Sequence, residues 1–217
     1  MKGTMLQSTT PKSDHALVLA MLCVALSACS QQLTERSVSK FIDAADQDFL
    51  DGNAAALCVK RGKDFLLTAS NFDLTRDKIV ADLAAAEAVA AEREAAGERV
   101  SAEIQTVTRQ SLCLDSLLDA RTYRKATLQR GKLDIRIDPD GQRAVVLAHY
   151  TVRQPVVGQR DSSLSMRDVV EHQIATRQTE SDDESVLIID GDGDIVFAST
   201  KAQSRSFLIP SQRDARL

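Results

Sequence analysis

The chain has no tryptophan and only two tyrosines in 217 residues, so the aromatic platforms on which bases or sugars stack are scarce. Its net charge is −4, with acids and bases interspersed. That balance argues against a nucleic-acid surface and against an electrostatic membrane patch. There are three histidines and four cysteines. No Cys-x-x-Cys pair, nucleophile elbow, phosphate loop or Cys/His dyad occurs among the residues. No apolar run is long enough to span a bilayer. The longest, Ala16–Leu26, has eleven residues and as a helix would rise about 16 Å, roughly half the hydrocarbon thickness.

That run is nevertheless informative. It follows a polar leader carrying Lys2 and Lys12, and it ends in Leu26-Ser27-Ala28-Cys29. A basic start, a short apolar core and small residues at the cut are the marks of a secretion signal. The tetrapeptide resembles the lipobox of bacterial lipoproteins. The resemblance implies that residues 1–28 are removed and that acyl chains are attached to the Cys29 sulfur and its freed amine. Several chains anchor stably where one would not. Ser30, standing where aspartate would favour retention at the inner membrane, points by the same resemblance to the outer membrane, facing the periplasm. Residues 29–36 then form a polar tether.

With Cys23 removed and Cys29 lipidated, Cys58 and Cys113 remain as the only pair in an oxidising compartment, where two thiols normally join. Such a bridge closes a long loop, and the chain-entropy account assigns it on the order of 4 kcal/mol. The rival reading is two free thiols.

The mature chain reads as α+β, a single domain over 37–209, helical over 37–128 and sheet over 131–209, with a polar tail at 210–217. Ser37 is placed as an N-cap, followed by Val38, Phe41, Ile42, Ala45 and Phe49 at helical spacing. Asp51-Gly52-Asn53 breaks this helix, and Asn53 caps a second one whose apolar side runs through Leu57, Cys58, Phe65 and Leu66. Ser70-x-x-Asp73 has the form of a capping box. From Ile79 a heptad-like seam runs through Leu83, Ala86, Ala90, Arg93, Gly97, Val100, Ile104, Val107, Ser111, Leu114 and Leu118. Two geometries fit it, a long helix or a helical hairpin, and Gly97 favours the hairpin. A further reading makes Val100–Thr108 a strand.

After Gly131 the period changes to two, with Leu133, Ile135 and Ile137 on one side. Asp138–Gly141 is a turn and Ala144–Val152 a more buried strand, followed by a polar loop over Gln154–Ser165. Asp168–Gln178 alternates again, Ser181–Asp183 turns, and Ser185–Ile189 and Ile195–Thr200 flank the turn Asp190–Asp194. The sum is a meander of four or five antiparallel strands, with Phe207–Ile209 packing its end.

The broken first helix, Phe41-x-x-x-Ala45 before Asp51-Gly52-Asn53-x-x-x-Leu57, and the last hairpin resemble the nuclear transport factor 2-like superfamily. The resemblance implies a conical pocket between helices and sheet, and no one activity. The Ala-rich stretch Thr75–Leu128 departs from the family pattern.

Candidate chemistry is thin. His149, Tyr150 and His172 fall on predicted strands and are the pocket candidates. In Asp190–Asp194 acids alternate with glycines, but the calcium-loop positions for glycine and glutamate hold Ile195 and Lys201. No catalytic residue, metal site or cofactor is assigned. The expectation is a non-enzymatic envelope lipoprotein that binds an envelope protein or a small apolar ligand and no nucleic acid. The alternatives are an assembly accessory acting through a 75–118 helical arm, and a pocket enzyme. The anchor is tested by metabolic labelling with a fatty-acid analogue. The parent is expected to carry the label and Cys29→Ser to lose it, and equal labelling of both would remove the assignment.

Overall fold

The computed structural model describes residues 31–76, 78–100, 103–114, 126–158 and 172–211. The leader, Cys29 and Leu118 lie outside them. Leu33–Leu217 forms one compact unit, and no described helix is long and apolar enough to cross a membrane.

Helix α1 (Glu35–Leu50) starts one turn earlier than its sequence suggests. Thr34, not Ser37, is the N-cap: its hydroxyl accepts from the Ser37 amide at 3.1 Å, and the Ser37 hydroxyl accepts from the Thr34 amide at 2.9 Å. The pair forms a capping box in which serine replaces the usual glutamate. Asn53 caps α2 (Ala54–Val59) as expected, accepting from the Ala56 amide at 3.3 Å. That helix stops well short of Phe65.

Strand β1 (Arg61–Asp73) takes over where the helix was expected to continue, and its Ser70 and Asp73 cap nothing helical. A central strand paired on both sides carries apolar residues on both faces, so Phe65, Leu66 and Leu67 show no clean period of two. The Ala-rich stretch supplies only α3 (Leu83–Ala95), capped by Asp82. Gly97, at φ +82°, ends it in the left-handed conformation that glycine adopts without penalty. The chain then enters β2 (Glu103–Thr108), so the strand reading of this stretch holds and the long helix or hairpin does not. Residues 109–114 are helical, in α4.

The seam was a coincidence of spacing. Ala86 and Ala90 are buried in α3, but Ile79, Ile104 and Leu114 are 50 %, 73 % and 57 % exposed on three different elements.

The remaining strands are β3 (Thr127–Arg130), β4 (Asp134–Ile137), β5 (Arg143–Gly158), β6 (His172–Ile189) and β7 (Ile195–Pro210). Seven strands, where four or five were expected, form one sheet in the order β2-β1-β7-β6-β5-β3, with β4 also on β5. Among the described strand pairs β1–β7 alone is parallel. β5 continues to Gly158 and β6 passes straight through Ser181–Asp183, where loop and turn were expected. Polar residues there reflect a polar surface on each face, not a reversal of the chain. The turns at 138–141 and 190–194 form as read, with Gly141 and Gly193 at positive φ.

α1 lies on the inner face of the sheet. Val38, Ile42 and Leu33 pack on Ala144, Val146 and Leu187, with Phe41 tilted on Phe197 at 5.1 Å between ring centres. A second cluster joins Ala86 and Ala90 of α3 to Leu74, Val100 and Phe207. Arg93 secures it by donating to the carbonyls of Asp73 and Leu74 at 2.8 and 3.1 Å.

Leu187 is fully buried beneath α1. Leu187→Ala is expected to lower unfolding free energy by about 2–5 kcal/mol in a urea titration, and a loss near zero would mean that α1 does not seat there.

Candidate ligand cavity

The β5–β6 register decides which side chains reach the interior. His149 pairs with Asp182 and Tyr150 with Ser181. Because side chains alternate, Tyr150, Ser181, Asp183 and Ser185 face α1, while His149, Glu180 and Asp182 face away.

Beyond the packed core, α1 and the inner face stand apart around a cavity of about 330 Å³. Its apolar wall is Ala45, Phe49, Leu57, Phe65, Leu67, Leu112, Leu128, Val152 and Phe197. Its polar groups are Asp46, Arg61, Tyr150, Ser181, Asp183, Ser185 and Thr200. The Cys58–Cys113 disulfide, with 5.6 Å between Cα atoms, ties α2 to α4, the elements that bring Leu57 and Leu112 to the cavity. The pairing expected from the compartment is therefore present.

At one side Arg130 reaches across from β3 and donates to Asp46 and, at 2.6 Å, to Asp43. Burial lifts the Asp46 carboxyl above its ordinary range in spite of Arg130, and the Tyr150 hydroxyl also bonds to it. Burial, with the Asp46 charge, pushes the Tyr150 phenol well above its ordinary value, so Tyr150 stays a proton donor. Asp183 accepts from the Ser181 hydroxyl. Its carboxyl is also raised, chiefly by burial and further by Asp182.

Of the three pocket candidates, Tyr150 lines this cavity. His149 does not. It lies on the outer face, its side chain 48 % exposed, along an open groove that also touches Ile104, Lys132 and Lys201. There its ring meets Asp182 at 2.8 Å and Glu180 at 3.1 Å, carboxylate partners supplied across the strand pair and invisible as linear spacing. Hydrogen bonds to Asp182, then Glu180, raise the imidazole value against a modest opposing effect of burial. For Glu180, burial pushes upward, but hydrogen bonds from Thr151, Gln178 and His149 outweigh it and hold the carboxyl below its ordinary value. The arrangement suits an imidazolium braced by two carboxylates. Its contribution to stability is present below about pH 6.5 and is lost as pH rises through the higher folded value. His172 begins β6, and its side chain lies outside the described residues. Among the described residues, no group of three His, Cys, Asp or Glu side chains is placed to hold a metal ion.

Asp46, Arg61 and Asp183 escaped notice in the sequence. Asp46 had a signal, an acid among Ile42, Ala45 and Phe49 on the buried side of a helix. Asp183 was hidden by the expected turn and Arg61 by the expected helix.

Several solved structures resemble this chain. A candidate scytalone dehydratase from Novosphingobium aromaticivorans matches with TM-score 0.47 and 7% identity, over 78% of this chain and 82% of that one. A ketosteroid isomerase-like protein from Erwinia carotovora matches with TM-score 0.39 and 8% identity, over 76% and 92%. The β subunit of a candidate aromatic-ring-hydroxylating dioxygenase, also from Novosphingobium aromaticivorans, gives 0.46 and 13%, over 88% and 94%. All three are of the nuclear transport factor 2-like type. The likenesses are loose. At scores below 0.5 they concern shape alone, and the cavity's chemistry rests on its own residues. No protein-family model matches the chain, and no curated protein matches it.

The raised Asp183 value makes a prediction. An acid that is harder to ionise folded than unfolded loses stability as pH climbs from its unfolded value, 3.8, through its folded one. The stability of Asp183→Asn relative to the parent is therefore expected to move in the variant's favour across that window and level off above it. Thermal melts over a pH series read this directly; a difference flat with pH would mean that Asp183 is not desolvated.

Proposed function

We propose that the chain is a lipid-anchored envelope module whose inner cavity holds a small, largely apolar molecule without transforming it. The observation that carries the reading is the cavity itself. It is preformed, it lies at the lower end of the size range of ligand pockets, and most of its lining surface is apolar. Tyr150 and Arg130 both bond to Asp46, so these polar groups are engaged with one another at one side of the cavity. The lipobox at Leu26–Cys29 supports anchorage at the membrane, and the Cys58–Cys113 bridge suits an oxidising periplasm.

A second reading, proton transfer on a bound substrate, is favoured by Asp183, whose raised value in the same cavity as Tyr150 is the profile of an acid–base group. The binding reading is preferred because the other polar groups of that side are tied in a closed network of Arg130, Asp43, Asp46 and Tyr150. An assembly role through a 75–118 helical arm has lost its arm, since that stretch is part helix and part strand.

Titration with a neutral apolar fluorophore, N-phenylnaphthylamine, tests the cavity. Emission is expected to rise on binding to the parent and to fall at least tenfold in apparent affinity for Val152→Trp, which fills the space, with the melting profile retained. Equal enhancement by both proteins would place the dye elsewhere and overturn the reading.

A further inference from the structure

We infer that the occupant of the cavity is a small amphipathic anion, an apolar body bearing a carboxylate that seats on Arg61. This rests on the cavity being a ligand site and specifies the ligand's chemistry.

Arg61 lines the cavity from the first position of β1 and is half-buried. Its recorded neighbours are the Cys58 sulfur at 4.0 Å and the Phe65 ring, whose centre lies 5.6 Å from the guanidinium carbon. Neither is an anion. Among the described residues no carboxylate pairs with it, although Arg93, Arg130, Arg136, Arg143 and Arg205 each hold one.

A second cation deepens the imbalance. Arg109 of α4 donates to the Cys58 carbonyl at 3.3 Å and adds its positive charge beside Arg61. Burial, and then that charge, both work against the Arg61 proton, yet a guanidinium does not give it up in a protein. Stacking on Phe65 offsets only part of what a desolvated charge loses.

The cavity's acids do not answer it. Asp46 accepts from Arg130, and Asp183 accepts from the Ser181 hydroxyl. The interior is thus apolar in area, and its lining guanidinium holds no carboxylate among the described residues. An entering carboxylate would meet a planar donor fork at Arg61, the geometry that guanidinium and carboxylate share. Its apolar part would lie along the wall between Phe65 and Val152.

The test compares two probes that share a chain and differ in the head, octanoate and octanol, each titrated into the purified, disulfide-intact chain at a pH well above the octanoate value. Binding is followed by the methyl resonances of Leu67, Leu128 and Val152. Octanoate is expected to bind at least about tenfold more tightly than octanol, the scale of one charge-assisted hydrogen bond, and the margin should shrink with salt. Arg61→Met is expected to remove the margin while leaving octanol affinity in place. Equal binding of the two probes to the parent, or a margin that survives Arg61→Met, would overturn the assignment of the anion to Arg61 while leaving the cavity a ligand site. If neither probe shifts the cavity resonances, the cavity reading fails and this one with it.

Discussion

The antiparallel ladder between β5 and β6 is the constraint from which the rest follows. The pairing of Ala144 with Leu187 and of Tyr150 with Ser181 leaves no freedom about which side chains face α1. One residue of slip of β6 along β5 would place Glu180 and Asp182 beneath the helix and expose Leu187, so burial of the core pins the register of the distant polar residues. Along β6 the inward series is Leu187, Ser185, Asp183 and Ser181, apolar where α1 is seated and polar where it stands off. A single strand face therefore serves as core at one end and as cavity wall at the other. The cavity is the continuation of the core after its filling residues run out.

The disulfide solves a different problem. α2 is short, and neither it nor the described part of α4 joins the main hydrophobic cluster. Helices of one or two turns have little stability of their own. The Cys58–Cys113 link joins them across 55 residues of sequence, and the Arg109 bond to the Cys58 carbonyl reinforces it. These two elements bring Leu57 and Leu112 to the cavity, beside Arg61 at the start of β1. The cross-link thus stands beside Arg61, whose guanidinium lies 4.0 Å from the Cys58 sulfur.

How much of this the sequence disclosed depends on whether the information was local. The α1 periodicity, the Asn53 cap, the β4–β5 turn and the last hairpin are written in neighbouring residues, and they form as read. β1 and β2 are not local. Phe65–Leu67 are strand because β7 and β2 lie on either side of them, and an apolar run of that length fits helix and buried strand alike. The polar middle of β6 read as a turn because each face of the sheet has its own use for acids: Asp183 toward the cavity, Asp182 toward His149. The same blindness explains the histidine. A search along the chain finds only Glu171 beside His172 and no acid near His149, while the sheet delivers two acids from thirty residues away.

Two arginines near the cavity make an instructive contrast. Arg130 meets two carboxylates from α1, so its charge is compensated and the link fastens helix to sheet. Arg61 occupies a comparable half-buried setting without an acid among the described residues. A purely architectural arginine gains from a partner and is readily replaced by an apolar side chain where none is at hand, because burying an unpaired charge is unfavourable. The chain has acids to spare, with 31 against 27 basic residues, so the absence of one at Arg61 is not a matter of composition. A guanidinium without a carboxylate among the described residues, set in a largely apolar cavity, would be stabilised by an anionic occupant. That ties the electrostatics of β1's first residue to the occupancy of the space in front of it.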